Sequence, residues 1–242
     1  YEIPDNGWDD DGNGKVDDVV GWDFINYDNN PLDDNGHGTH VAGIAAAEAN
    51  NGIGIAGVSW GAKIMPVKVL NNRGQGDVLS ISQGIHFASA SGANVINMSF
   101  GGYFKSETME AALQNAILTS ELIAASGNDH LSIYEKHPDS FLPNPFYPAA
   151  FPFVFGVVAV ESFSNYDPDG PIYSEFLTGE NYELVSYGGG ILSSFPGGQY
   201  KILSGTSMAA PLIAGMVSLY NSAKVIVTKE ERWGDFINAS RP

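Results

Sequence analysis

Apolar residues along this chain come in short bursts that alternate between strand-like and helix-like spacing. Ala62 to Leu70, Asn94 to Phe100, Leu122 to Ser126 and Phe153 to Val160 are β-rich runs bounded by turn formers, and are predicted strands. Between them, Asp77 is a good N-cap for a helix reaching Ser91, with Val78, Ile81, Ile85 and Phe87 as its apolar contacts. A second helix is predicted from about Glu107 to Thr119, opened by Ser106 and acidic in its first turn, which suits the helix dipole. Strands alternating with helices join by right-handed crossovers, so the expected fold is α/β, a three-layer sandwich with a mainly parallel central sheet. Ligands of such sheets gather at the carboxyl ends of the strands, where Gly101-Gly102 and Gly127-Asn128 lie.

The remaining segments are less periodic. His37 to Asn50 reads as a helix of small residues able to lie deep in a core, and Leu212 to Tyr220 is an apolar helical run. Tyr182 to Tyr187 and Tyr200 to Leu203 read as short strands, and Thr228-Lys229-Glu230-Glu231 is a capping box for a last helix ending near Asn238. His130 to Pro152, with five prolines, is an ordered loop, and Ser164 to Gly179 is rich in turn residues. Gly52-Ile53-Gly54-Ile55-Ala56-Gly57 spells a dinucleotide fingerprint, but it follows a helix and leads into a strand, the reverse of what that site needs, so it is a loop.

Composition changes this picture in three ways. With 242 residues and 43% hydrophobic content the chain can bury a large core, and one domain over 1–242 is expected. Its 28 acidic against 11 basic residues give a net charge of −17, which repels nucleic acid and anionic membrane surfaces and favours cations. No apolar run approaches the ~20 residues of a membrane helix, so neither nucleic acid nor membrane is an expected partner. The absence of cysteine excludes disulfides and thiolate metal sites.

The acidic excess has a pattern. Asp9, Asp11, Asn13 and Asp17 place side-chain oxygens at positions one, three, five and nine of a loop, Gly14 allows its bend, and the Lys15 carbonyl falls where a backbone ligand belongs. Such hard oxygen donors suit calcium, although Val20 stands where a twelfth-position glutamate is usual and Asp18 is a spare donor. The alternative is a solvated acidic turn.

The stretch that organises the chain is Ser204-Gly205-Thr206-Ser207-Met208-Ala209-Ala210-Pro211, a Gly/Ser turn opening into the apolar run. A serine in a helix's first turn lies among free backbone N–H groups that stabilise negative charge, though it can equally be a simple cap. The upstream Asn35-Gly36-His37-Gly38-Thr39-His40 favours the nucleophile, because it supplies an imidazole base. A zinc pair at His37 and His40 lacks a glutamate and a third ligand, and His40 is expected to be a packed structural histidine.

Together with Ala125-Ser126-Gly127-Asn128, these motifs resemble the subtilisin-like serine proteases, through most of the chain. The resemblance implies a secreted serine endopeptidase with structural calcium, acting on a peptide or protein substrate. Position by position it makes Ser207 the nucleophile, His37 the general base and Asn128 the side-chain oxyanion donor, for which a loop-capping amide is the plain alternative. It makes Ser99, Phe100, Gly101 and Gly102 an edge that pairs with extended peptide, besides being the end of a core strand. Ser126 and Gly127 line the same cleft, and Phe146 either floors the pocket for the residue before the scissile bond or turns into the core among Phe141, Phe151 and Phe153.

One departure stands out. The family order is Asp, His, Ser, yet no apolar strand ending in Asp-Thr-Gly or Asp-Ser-Gly precedes His37, and Asp33 and Asp34 are too close to it in sequence to serve. The expectation is a catalytic domain lacking its aspartate strand and ending early, the strand being supplied by a separate N-terminal segment or chain. The alternative function is an impaired scaffold that binds peptides without efficient turnover.

Overall fold

The computed structural model describes residues 2–133, 145–166, 182 and 184–223. The helix predicted near 228–238, most of the turn-rich stretch after Ser164, and Phe141 lie outside them.

Strand β4 (Glu121–Ala125) shows how the layers arise. Its side chains alternate, Leu122 and Ala124 entering one core and Ile123 and Ala125 the other, and the whole strand is buried. It pairs in parallel with β3 (Val95–Met98) and β5 (Phe155–Ala159), and β6 (Leu184–Ser186) extends the order to β3-β4-β5-β6. On one face lie α2 (Val78–Ala90) and α3 (Glu107–Ala116), which pack with Met98, Leu122, Phe151 and Val158. On the other lies α4 (Thr206–Ser222), whose Ala209, Ala210, Ile213 and Val217 meet Ile123, Val157 and Leu184. The α/β three-layer sandwich is therefore formed as the alternation predicts.

The helix boundaries follow their caps. Asp77 accepts from the Ser80 N–H at 2.9 Å and Ser106 from that of Met109 at 3.3 Å. Val78, predicted to face the core, is instead 40% exposed in the first turn, while Ile81, Ile85 and Phe87 are buried. The helix expected over 37–50 is shorter, α1 (His37–Ala46), because Ala47 turns extended and its carbonyl accepts from Gly57.

Two strands are additional to the predicted set. β1 (Trp22–Asp23) lies in the apparently aperiodic N-terminal stretch and pairs in parallel with β2 (Val67–Lys68), all that pairs of the predicted strand 62–70. β7 (Ile191–Phe195) forms an antiparallel hairpin with β8 (Gln199–Leu203) over a Gly197-Gly198 turn, both glycines at positive φ. Gly43 and Gly36 of the α1 region meet this hairpin so closely that a Cβ would strike Ser193 and the Phe195 ring.

β1 and β2 form their own two-stranded sheet. β2 and β3 are consecutive strands linked through α2, and Val67, Val69 and Ile96 share one core with α2, yet no ladder among the described residues joins β2 to β3. The central sheet is thus interrupted between them.

Candidate active site

The start of α4 is built around two residues without ordinary helix properties. Gly205 sits at φ 156, ψ 161, a region essentially reserved for glycine, and a Cβ there would approach the Asn128 amide at 3.4 Å. Pro211 has no N–H, so the carbonyl of Ser207, four residues back, lacks its helical donor. Ser99 fills that vacancy: its hydroxyl donates to the Ser207 carbonyl at 2.9 Å, and the Ser207 hydroxyl donates back to the Ser99 carbonyl at 3.1 Å. The reciprocal pair fastens Ser207 to the carboxyl end of β3.

Asn128 follows β4 and is exposed. Its Oδ1 accepts the Thr206 N–H at 2.8 Å, which fixes the carboxamide and leaves Nδ2 as a donor beside the helix start. Thr206 is fully buried, and its Oγ1 accepts the Gly127 N–H at 3.2 Å. Ser126, likewise buried, lies behind the cleft and donates to the Asn165 carbonyl at 3.3 Å.

His37 is the first residue of α1. Asp33 does not orient its ring; that carboxylate accepts from Gly36 N, Thr39 N and Thr39 Oγ1 at 2.6–2.8 Å, and so caps the helix. His40 is fully buried, with Nε2 between the carbonyls of Ile191 and Lys201 at 3.1 and 3.0 Å and Nδ1 without a hydrogen-bond partner, so it packs as a structural histidine. These contacts set the start of α1 beside the segment leading to Ser204. At the other end, a Cβ on Gly215 would lie 3.0 Å from the Ala45 carbonyl, and Ser59, bonded to that carbonyl, reaches Ser218. The two helices therefore run in the same sense, with His37 and Ser207 at the same end. Burial holds the His37 imidazole below its ordinary value; the Asp33 charge opposes this and the neighbouring His40 adds to it. Burial of the imidazole favours its uncharged form, the form able to accept a proton, while the Ser207 hydroxyl is bonded to the Ser99 carbonyl.

Phe146 lies between the two predicted walls. Its ring fills the space where a Cβ on Gly101 would lie and is 3.0 Å from that of Gly127, and it meets Tyr103 edge to face at 5.1 Å. Gly102 pairs with Tyr147 through two 2.8 Å backbone bonds, which carries the 145–147 segment across the end of β3. Phe100 is half-buried against the α2/α3 core.

The acidic loop is ordered by its own carboxylates. Asp9 accepts from Gly12, Asn13 and Gly14 N–H groups, and Glu2 from those of Asp10, Asp11 and Asp17. Glu2, Asp9 and Asp11 bring carboxylate oxygens within 4.8 Å of one another, Glu2 being a donor outside the predicted spacing. Asp17 instead accepts from Asn6 and Gly7, and Asn13 bonds Asp18 through Nδ2 and the Lys15 N–H through Oδ1. Burial, with the charges of Asp11 and Glu2 behind it, raises Asp18 above the usual carboxylate value. The Lys15 ammonium leaves the loop to lie 5.2 and 5.4 Å from the Trp22 and Phe24 rings.

This architecture, with serine and histidine heading two codirectional helices at the carboxyl edge of a parallel sheet, agrees with the comparisons to known proteins. The subtilase family model matches residues 4–238, and the chain belongs to that family. It is 38% identical over 211 residues to thermitase of Thermoactinomyces vulgaris, covering 86% of this chain and 68% of thermitase. It is 39% identical over 216 residues to a thermophilic serine proteinase of Bacillus sp. (strain AK1), covering 86% of this chain and 48% of that one, so it spans about half of that relative's length. The crystal structure of a cold adapted subtilisin-like serine proteinase superposes with a TM-score of 0.69 at 31% identity, covering 85% of this chain and 68% of that one.

Proposed function

We propose that the protein is a serine endopeptidase in which Ser207 is the nucleophile, His37 the general base, and Asn128 Nδ2 with the Ser207 backbone N–H the oxyanion donors. The observation that carries this reading is the locked start of α4. Gly205, Asn128 and Ser99 hold Ser207 at a helix N-terminus, where charge developing on a tetrahedral intermediate is stabilised. Attack moves the hydroxyl proton to His37, which returns it to the leaving amine. Extended substrate lies along Ser99 to Gly101 on one side and Ser126-Gly127 on the other; Gly102, whose backbone N–H and carbonyl are both paired with Tyr147, is not open to it. An active-site-directed phosphonyl fluoride should add one equivalent at Ser207, with none on Ser207→Ala and sharply less on His37→Ala; undiminished labelling of the histidine variant contradicts the assignment.

The orienting carboxylate belongs, in this reading, to an extended segment inserted between β2 and β3, lying upstream in the same polypeptide or on a second chain. The interruption of the sheet supports it, as does the buried Asn97 Oδ1 on β3, which has no hydrogen-bond partner. An added strand would pair with backbone on both sides, a strong recognition mode.

Calcium is the cofactor the reading implies. Glu2, Asp9 and Asp11, with the Asn13 amide oxygen and the Lys15 carbonyl, form a donor set of hard oxygen only, and a divalent cation would relieve the mutual repulsion of the three carboxylates. Bound there, it would supply structural stability to the loop that Lys15 ties to β1. An extracellular location suits such a requirement, since calcium is abundant there.

A further inference from the structure

The loops after β3 and β4 form the two walls of the proposed pocket, and they are joined by a hydrogen-bond network, centred on the buried Asn165, that the serine chemistry does not use. The Tyr103 hydroxyl donates to Asp129 Oδ2 at 2.6 Å and accepts from Asn165 Nδ2 at 2.8 Å. Asn165 is 1% exposed and uses its whole carboxamide: Nδ2 also donates to the Ser126 carbonyl at 3.0 Å, and Oδ1 accepts from Asp129 N and Leu131 N, both at 3.0 Å. Its own N–H donates to the Gly127 carbonyl at 2.9 Å. Tyr103 comes from the first wall, Asp129 from the second, and Asn165 stands behind both.

The Tyr103 ring thus has a fixed position, and it meets Phe146 at an interplanar angle of 77°. Phe146 is held at its backbone too, where its N–H donates to the Tyr182 hydroxyl at 3.0 Å. Burial, then the bond to Asp129, push the Tyr103 phenol above its ordinary value, so it stays a donor wherever a peptidase of this kind works.

We propose that Tyr103 is a specificity-determining residue: latched to Asp129 and Asn165 across the cleft, it keeps Phe146 upright between Gly101 and Gly127, so that the pocket accepts peptides with a small uncharged side chain before the scissile bond. The inference rests on the site reading above and adds the substrate class. Without the latch Phe146 gains room on the Tyr103 side and the pocket deepens. Tyr103 acts through Phe146, so its effect vanishes when that ring is absent.

The test uses the complete enzyme, its active sites counted with a phosphonyl fluoride, and peptides carrying Ala, Leu or Phe before the cleaved bond. Wild type should prefer Ala to Phe by about tenfold or more, the scale on which pockets discriminate by size. Tyr103→Ala should raise the Phe/Ala ratio of kcat/KM several-fold. Tyr103→Phe, which keeps the ring and loses the latch, should give a smaller rise of the same sign, carried by KM. In a Phe146→Gly background, where the ratio is already high, Tyr103→Ala should change it less than about twofold. The proposal is overturned if titrated Tyr103 variants keep the wild-type ratio, or if the Tyr103→Ala effect is the same in both backgrounds. Absence of titratable sites in the wild type would instead remove the underlying reading, and the proposal with it.

Discussion

β3 to β6 and β1–β2 are built from the same kind of parallel pairing, yet they reach order by different means. In the first, β4 and β5 bury every residue, and the alternation of their side chains feeds two cores at once. In the second, two residues of each strand pair, and a charge pair does much of the fastening: Lys68 Nζ lies 3.1 Å from Asp23, which is fully buried, and 2.8 Å from the more exposed Asp34. The four-stranded part carries Asn128 just after β4 and packs against α4, the helix that begins at Thr206-Ser207. The two-stranded part carries the acidic loop and faces the interruption. Hydrophobic burial specifies the first, whereas the second, although Trp22, Phe24 and Val69 enter the same core, also depends on groups that must find ionic partners.

Substitutions in the two parts should therefore fail differently. After loss of Ser207 or His37, the largest effect on chemistry is expected at Asn128: Asn128→Leu should lower kcat by about 10²–10³, the cost measured for a side-chain oxyanion donor in subtilisin, while the melting temperature moves only a few degrees. A comparable loss of stability in place of the rate effect would make Asn128 a cap for Thr206 and nothing more.

Next comes the ion pair. Lys68→Met leaves the buried Asp23 carboxylate without its cation and should cost about 3 kcal/mol in unfolding free energy, read by denaturant titration. Burial acts to raise Asp23, but bonds from Asn26, Lys68 and Ile25 outweigh it and hold the group below the usual carboxylate value. Its contribution is then complete above the unfolded carboxylate value and is lost as pH falls through the folded one. The variant should accordingly show a flatter stability profile on the acid side than the parent.

His37 gives a pH signature of the other part. Because burial depresses its pKa, the acid limb of kcat/KM should lie below the value of a free imidazole. A limb at or above that value would mean that the bound carboxylate of the added strand outweighs burial.

The smallest effect belongs to the acidic loop. Chelation should lower the melting temperature by several degrees, since an ion held only by the folded state stabilises it by about 2.7 kcal/mol at a hundredfold excess over Kd. Glu2→Ala and Asp11→Ala should each remove most of that response, whereas Asp17→Ala, whose carboxylate serves Asn6 and Gly7, should remove less.

How much of this the sequence conveyed follows from the same contrast. Helix α2 with its Asp77 cap, α3 with its Ser106 cap, and β4 were legible because capping chemistry and apolar runs are local signals. β1 was not, since two residues in a field of Asp and Asn carry no period, and β7 was hidden because its half-exposed Leu192 and Ser194 alternate too weakly. Ser207, His37 and Asn128 were legible as motifs. Tyr103 and Asn165 were not: they are 62 residues apart, and only the folded chain makes one network of them. Pro211 could have been used, because a proline four residues after Ser207 announces a carbonyl that some other group must satisfy.

The central claim is that the sheet interruption between β2 and β3 is the seat of a strand that activates His37 and hence Ser207. The direct measurement is the second-order rate of Ser207 phosphonylation in the 242-residue chain alone and after addition of a peptide that supplies an extended strand ending in an aspartate. The account predicts an increase on the order of the 3 × 10⁴ lost when subtilisin is deprived of its triad aspartate, with new protection of β3 amides from hydrogen exchange. Equal rates in the two preparations, or a full rate from a chain verified by intact mass to hold nothing more, would contradict it.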